Sequence, residues 1–442
     1  MVNNNSTLYR QLKYNILTFI HRLQSFPYYV RLTVLIGLVL FLISAYYYSL
    51  WGSTTSFVGA IDHNNQLFQD FLEYYHPMSK TILQSPTPIS GYYYSAFFAI
   101  LLIPLGILKT STAIWSWGAI QTTGIVLLYI LPLIRLSRLK PIWIALYTGV
   151  FATSFPLLHN MQWGQMSVII VVCIIAAFHA YGKNQRILAG IILAFAASIK
   201  YYPILFILYF ILKRDLRVII SFAIAGIFFY ILFPAVIIGP ESLILFETSI
   251  FNAVSGAEWI STDINSQYFA HVVARWSHFE SGILLPFKPG VIQALTISGY
   301  AIFICNMAIL WLLQRKKLRN QLTLSLILLF LSLPFVIKTS WPHYFSYLAF
   351  CQVTLFAHLK SYRSSLLSWR ELPLLLLPIF SIAFSSMFVF NAFPHWSYFS
   401  AYGLIFLANL LLLISFYLII LKEIAYNQTL ESSMKKSLPE QR

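Results

Sequence analysis

The side chains able to do chemistry sit in a few short stretches. QDFLEYYHP presents Asp70, HNMQWGQ presents His159, Asn160, Gln162 and Gln165, and SIKYYP presents Lys200 and Tyr201. SQYFAHVVARW presents Gln267 and Arg275, and KTSWPHYF presents Trp341 and His343. A carboxylate accepts a proton, an ammonium or guanidinium holds an anion such as a lipid phosphate, and amides and imidazoles exchange hydrogen bonds with hydroxyls. Each residue also has a plainer reading. Asp70 reads equally as a solvated loop acid, and Lys200 as a cation snorkelling to an interface. His159, His271, His278, His343 and His395 read as polar tips, and Tyr92 to Tyr94, Trp341 and Trp396 as an aromatic belt. No HExxH, DxD or close pair of histidine ligands occurs, so the sequence signals no metal, and no GxxxxGK[ST] loop marks a nucleotide phosphate. No cofactor is implied.

The elements that carry these stretches belong to a membrane protein. The chain is 59% hydrophobic and 10% charged, against roughly 25% charged in soluble domains. Its apolar runs recur along the whole length, many close to the ~20 residues a helix needs to cross hydrocarbon. The expected architecture is all-α and polytopic, with about twelve spans at 31–50, 113–134, 141–158, 166–182, 187–200, 201–213, 217–239, 291–313, 320–337, 342–359, 372–391 and 397–421. Residues 1–30 form a cytoplasmic segment with an amphipathic helix over 8–23, residues 31–421 a membrane domain, and residues 422–442 a tail. No cleavable signal is expected. Cys173, Cys305 and Cys351 sit in apolar runs and read as small core hydrophobes.

A net charge of +16 suggests nucleic acid until its placement is considered. With the N-terminus inside, every lysine and arginine except Lys80, Lys109, Lys200, Arg275, Lys288 and Lys338 falls on the inner side, as the positive-inside rule requires. Nucleic acid is not a partner on this reading; the bilayer is. The pattern holds only if residues 92–108 do not cross, so that stretch is expected to be an interfacial or re-entrant helix. Two long outer loops result, 51–112 and 240–290. In the first, Phe68, Phe71, Leu72 and Tyr75 have helical spacing, which predicts a short helix lying along the membrane. The reactive residues all gather at outer helix ends. An ionisable group such as Lys200, between two half-length apolar segments and just before Pro203, is costly there and needs a reason.

Four stretches carry a family resemblance. QDFLEYYHPMSKTIL with GYYYSAFFAILLIPLGIL, HNMQWGQMSVII with AGIILAFAASIKYYPILFILYFILKR, SQYFAHVVARW, and TSWPHYFSYL together resemble glycosyltransferases of the C-type membrane fold, family 87. Ser266 and Tyr268 depart from the family's Asn and Ser, whereas Gln267 and Arg275 keep its pattern. The resemblance implies an inverting transfer of a hexose, mannose foremost, from a polyprenyl-phosphate donor to a glycolipid or glycan hydroxyl. Asp70 would be the general base, with His343 sharing the proton, and Lys200 with Arg275 would neutralise the departing phosphate. His159, Asn160, Gln162, Gln165, Tyr201, Gln267 and Trp341 would bind substrate. The implied location is a bacterial inner membrane, with both termini cytoplasmic and the site on the periplasmic face. A multi-spanning transporter or lipid flippase is the competing reading, although such proteins tend to show repeated halves, and none is evident here.

Overall fold

A computed structural model describes residues 67–136, 141–255, 263–280, 283–284, 289–316, 318, 320–362, 372–393 and 396–437, together with Tyr28, Leu32, Leu35 and Val39. The expected amphipathic helix over 8–23, most of the first span and His395 lie outside the described residues. The described residues form a helical bundle, with one strand pair among them, the two-residue hairpin Phe279–Glu280 against Ile283–Leu284. All the other expected spans fall on helices. Thr110–Leu133, Leu216–Ile238, Gly290–Arg315 and Tyr398–Ile424 are each long and apolar enough to cross a membrane. The protein is an all-α membrane protein.

Helix breaks matter more for the site than helix lengths. Prolines occupy the first turn at Pro156, Pro203, Pro334 and Pro342, where a missing N–H is harmless but a preceding helix cannot run through. The helix Arg186–Ile199 ends at Lys200, whose backbone is extended, and the chain turns back through a 3₁₀ segment, Tyr202–Phe206, into Ile207–Lys213. Fourteen residues at ~1.5 Å each rise ~21 Å, short of the ~30 Å hydrocarbon thickness. Lys200 is therefore the tip of a short helical hairpin. At its base Arg186 pairs with Asp215 at 3.4 Å. Gly190 lets the next helix, Leu216–Gly226, lie flush against it: a Cβ there would come within 2.6 Å of the Val218 carbonyl.

Residues 92–108 do not form a continuous helix. They break into Ala96–Leu101 and Ile103–Gly106, as suits a segment that does not cross. Tyr92, Tyr94 and 96–100 are buried, so the segment packs within the bundle, as the re-entrant of the two expected forms would. The predicted helix of the first outer loop is likewise a π-helical turn, Phe71–Tyr75, leading into His76–Thr81, with Phe71, Tyr75 and Met78 buried. Its apolar stripe meets protein: Phe71 stacks on Trp117 at 4.8 Å, and Tyr75 meets Tyr94 edge-on at 5.0 Å. In the second loop, Pro240–Ser255 and Phe269–His278 are helices.

Candidate active site

The HNMQWGQ stretch builds a rigid turn. The helix Phe155–Trp163 is closed by Gly164 in the left-handed conformation, φ 66°, with Gly164 N–H and Gln165 N–H bonded back to Met161 and Asn160 carbonyls. Glycine is required twice over, since a Cβ would also lie 2.9 Å from Phe68 Cα and from Trp117 Nε1. Buried side chains lock the turn. Trp117 Nε1 donates to the Gly164 carbonyl at 3.1 Å and Gln121 Nε2 to the Gln165 carbonyl at 3.1 Å. Asn160 donates to Gln121 Oε1 at 2.9 Å and accepts from Val168 N–H at 3.3 Å. Phe68, itself at φ 60°, donates its N–H to the Gln162 carbonyl at 2.7 Å. A bulky residue in that conformation is strained, and the strain is held two residues from Asp70.

From this turn the Gln165 side chain reaches between the two charges. Its Nε2 donates to Asp70 Oδ2, and its Oε1 accepts from the Tyr94 hydroxyl at 2.6 Å. That hydroxyl in turn accepts from Lys200 Nζ at 3.1 Å. Asp70 and Lys200 are thus the two ends of one hydrogen-bonded path through Gln165 and Tyr94. The ammonium, only 6% exposed, also lies over the rings of Tyr94 and Tyr344 at 4.3 and 4.4 Å, which lowers the cost of burying it. Burial pushes the Asp70 carboxyl up to about 7; the Lys200 charge opposes this and Glu73 adds to it.

The histidines form a neighbouring group. His159 stacks between Trp163 at 5.9 Å and His343 at 5.5 Å, and His343 stacks in turn on Trp341 at 6.1 Å. Both ring nitrogens of His343 and Nδ1 of His159 are buried with no hydrogen-bond partner, unusual for groups that proteins almost always satisfy. Trp341 Nε1 donates to Asp263 Oδ2 at 2.7 Å, tying this turn to the second outer loop. Tyr201 bonds through its hydroxyl to Thr339 Oγ1 at 3.0 Å.

Gln267 and Arg275 are engaged elsewhere. Gln267 Nε2 donates to the Ser400 carbonyl at 3.1 Å, and its Oε1 accepts from Phe406 N–H at 3.2 Å. Arg275 is fully buried and spends its N–H groups on the carbonyls of Ala401 at 3.3 Å, Asp263 at 3.1 Å and Ser266. Burial lowers its pKa to about 10, partly offset by Asp263. Both side chains fasten the second loop to the helix Trp396–Ala401, and Gln267 also to the start of Leu404–Ser437, whereas substrate and phosphate contacts are expected of them. Asn160 is similarly consumed by the turn. Tyr94, the centre of the path, was hidden in the sequence because a YYY run beside an apolar stretch resembles an aromatic belt. Ser95 is the available signal for where the next helix begins: it caps that helix, accepting from Phe98 N–H.

A helical membrane bundle in which a half-buried acid and a buried lysine are linked through Gln165 and Tyr94 presents a candidate enzyme site. The glycosyltransferase family 87 model matches residues 92–337, more than half of the chain, and the chain belongs to that family. It is a membrane glycosyltransferase. The matched region includes Tyr94, Gln165, Lys200, Gln267 and Arg275, while Asp70 and His343 flank it. No curated protein and no solved structure matches the chain.

Proposed function

We propose that the enzyme moves a hexose, mannose foremost, from a polyprenyl phosphate to a hydroxyl of a glycolipid or glycan, with inversion, on the periplasmic face of a bacterial inner membrane. The chain would have about twelve spans, with both termini in the cytoplasm. The observation carrying this reading is the path from Asp70 through Gln165 and Tyr94 to Lys200. A base and an anion-holding cation linked so directly suit a displacement in which one end activates the nucleophile while the other receives the leaving group. Asp70, once ionised, takes the acceptor hydroxyl's proton as the oxygen attacks the anomeric carbon. The bond from that carbon to the phosphate oxygen breaks, and the Lys200 ammonium neutralises the released phosphate.

The remaining residues divide by what their polar atoms already do. Gln165 and Tyr94 set the spacing of the two charges. His159 and His343, with unserved nitrogens beside stacked indoles, orient sugar hydroxyls, and His343 is placed to share the transferred proton. Gln162 and Tyr201 contact substrate at the rim. Asn160, Gln267, Arg275 and the Trp341 indole nitrogen support the cavity walls, leaving Lys200 as the sole phosphate cation in this scheme.

The decisive experiment incubates the purified protein in lipid with labelled polyprenyl-phosphate mannose, glucose and arabinose, comparing wild type with Asp70→Asn and Lys200→Ala. The expected result is a new glycosidic product from wild type and loss of about 10²-fold or more in each variant. Label crossing vesicles without a new glycosidic bond would point to transport and overturn the proposal, as would full activity in Asp70→Asn.

A further inference from the structure

The Tyr94–Lys200 contact hangs on a helix too short to hold itself. Ala96–Leu101 has six residues, well below the ~12–15 at which an isolated helix becomes even marginal, so its placement must come from outside. Two anchors do this. Ser95 Oγ donates to the carbonyl of Ser198 and lies 3.5 Å from that of Ile199, occupying the open carbonyl end of the helix before Lys200. The Ala96 N–H donates to Glu247 Oε1 at 2.8 Å, across 151 residues of sequence. Tyr94 and Lys200 thus each stand one or two residues from an anchored position.

Glu247 is itself fixed from the other side. It comes from Pro240–Ser255, and its Oε2 accepts from the Tyr230 hydroxyl at 2.5 Å. Tyr230 lies in a π-helical stretch, Ile227–Leu232, of a helix whose side chains are otherwise largely exposed and apolar. Phe246, next in sequence, meets Tyr92 edge-on at 6.1 Å. A carboxylate and a phenol on largely apolar helices are expensive; here the phenol donates to the carboxylate, and the carboxylate accepts from the Ala96 amide.

We propose that Glu247 is a positioning residue for sugar transfer: bridging Tyr230 and the Ala96 amide, it holds Ala96–Leu101 where Tyr94 meets Lys200. The inference rests on Lys200 receiving the phosphate only for its kinetic consequence; the geometry is testable without that. Full-length wild type, Glu247→Ala, Glu247→Gln and Tyr230→Phe, in lipid nanodiscs, are exposed to limiting acetic anhydride, and acetylation of Lys200 is quantified by mass spectrometry. In parallel, kcat and KM are measured with polyprenyl-phosphate mannose.

Glu247→Ala releases the segment, so Lys200 acetylation rises about fivefold or more and kcat falls about tenfold with KM within about twofold, since a misplaced cation is felt in the transition state. Glu247→Gln keeps an acceptor for Ala96 N–H and restores both readouts. Unchanged Lys200 acetylation in Glu247→Ala, or a Gln variant as impaired as Ala, overturns the inference. Should Glu247→Ala fail to assemble, Tyr230→Phe decides: loss of its hydrogen bond raises Lys200 acetylation by about twofold, and no rise overturns it. Absence of transfer by wild type would count against the donor assignment alone, because the acetylation pattern stands independently.

Discussion

Asp70 can act as a base only when ionised, and its surroundings oppose ionisation. Burial lifts its carboxyl to about 7, where a base is strongest while still half available at neutral pH. The pH–rate profile, measured as log kcat/KM, should therefore climb with unit slope as the pH rises to about 7. Stability runs the opposite way. Below pH 3.8 folded and unfolded chains both hold the proton; between 3.8 and about 7 the unfolded chain releases it and the folded chain does not, so stability falls as pH rises, with the full penalty present above 7. Asp70→Asn should consequently be inactive yet melt no lower than wild type at pH 8, as read by scanning fluorimetry. Tyr94→Phe removes the hydroxyl that joins Gln165 to Lys200; a loss of about 10-fold to 10²-fold in kcat is expected from misplaced charges, with Asp70→Asn no worse in that background than the non-additivity of a shared path allows.

At the scale of elements, two glycines locate the charges. Gly164→Ala forces a side chain at φ 66° to within 2.9 Å of the Phe68 backbone; a cost of about 1–3 kcal/mol is expected, seen as a lower melting temperature, with loss of transfer because Phe68 precedes Asp70 so closely. Gly190→Leu wedges the hairpin away from Leu216–Gly226, with an expected cost of about 1–3 kcal/mol or more from overpacking and a further loss of activity through Lys200. The sequence made the Lys200 hairpin legible, because two half-length apolar runs around a Lys-x-x-Pro break have no other economical reading. It left the setting of 67–108 obscure. Helical spacing in Phe68, Phe71, Leu72 and Tyr75 says that one face is apolar, but both lipid and protein satisfy an apolar face, and here Trp117 and Tyr94 do so. For the same reason Gln267 and Arg275 looked like ligand-binding groups: a sequence shows polar atoms without showing which carbonyls already occupy them.

At the scale of the whole molecule, the placement of charge predicts one orientation, with the N-terminus inside. Cysteine substituted at the exposed Lys338 is expected to react with a membrane-impermeant maleimide added outside intact spheroplasts, whereas cysteine at Lys213, beside the base of the hairpin, is expected to react only after lysis; the reverse pattern would invert the topology. Were the hairpin to start at the inner headgroups in that orientation, the ~21 Å rise of Arg186–Ile199 would leave Lys200 several ångströms beneath the outer headgroups. The donor's phosphate would then have to sink to Lys200, and the acceptor to follow as far as Asp70 at the other end of the path. A folded protein surface would be too blunt to follow, so such a depth would favour slender acceptors: a saccharide chain dangling from its own lipid, or a free oligosaccharide threaded from the water above.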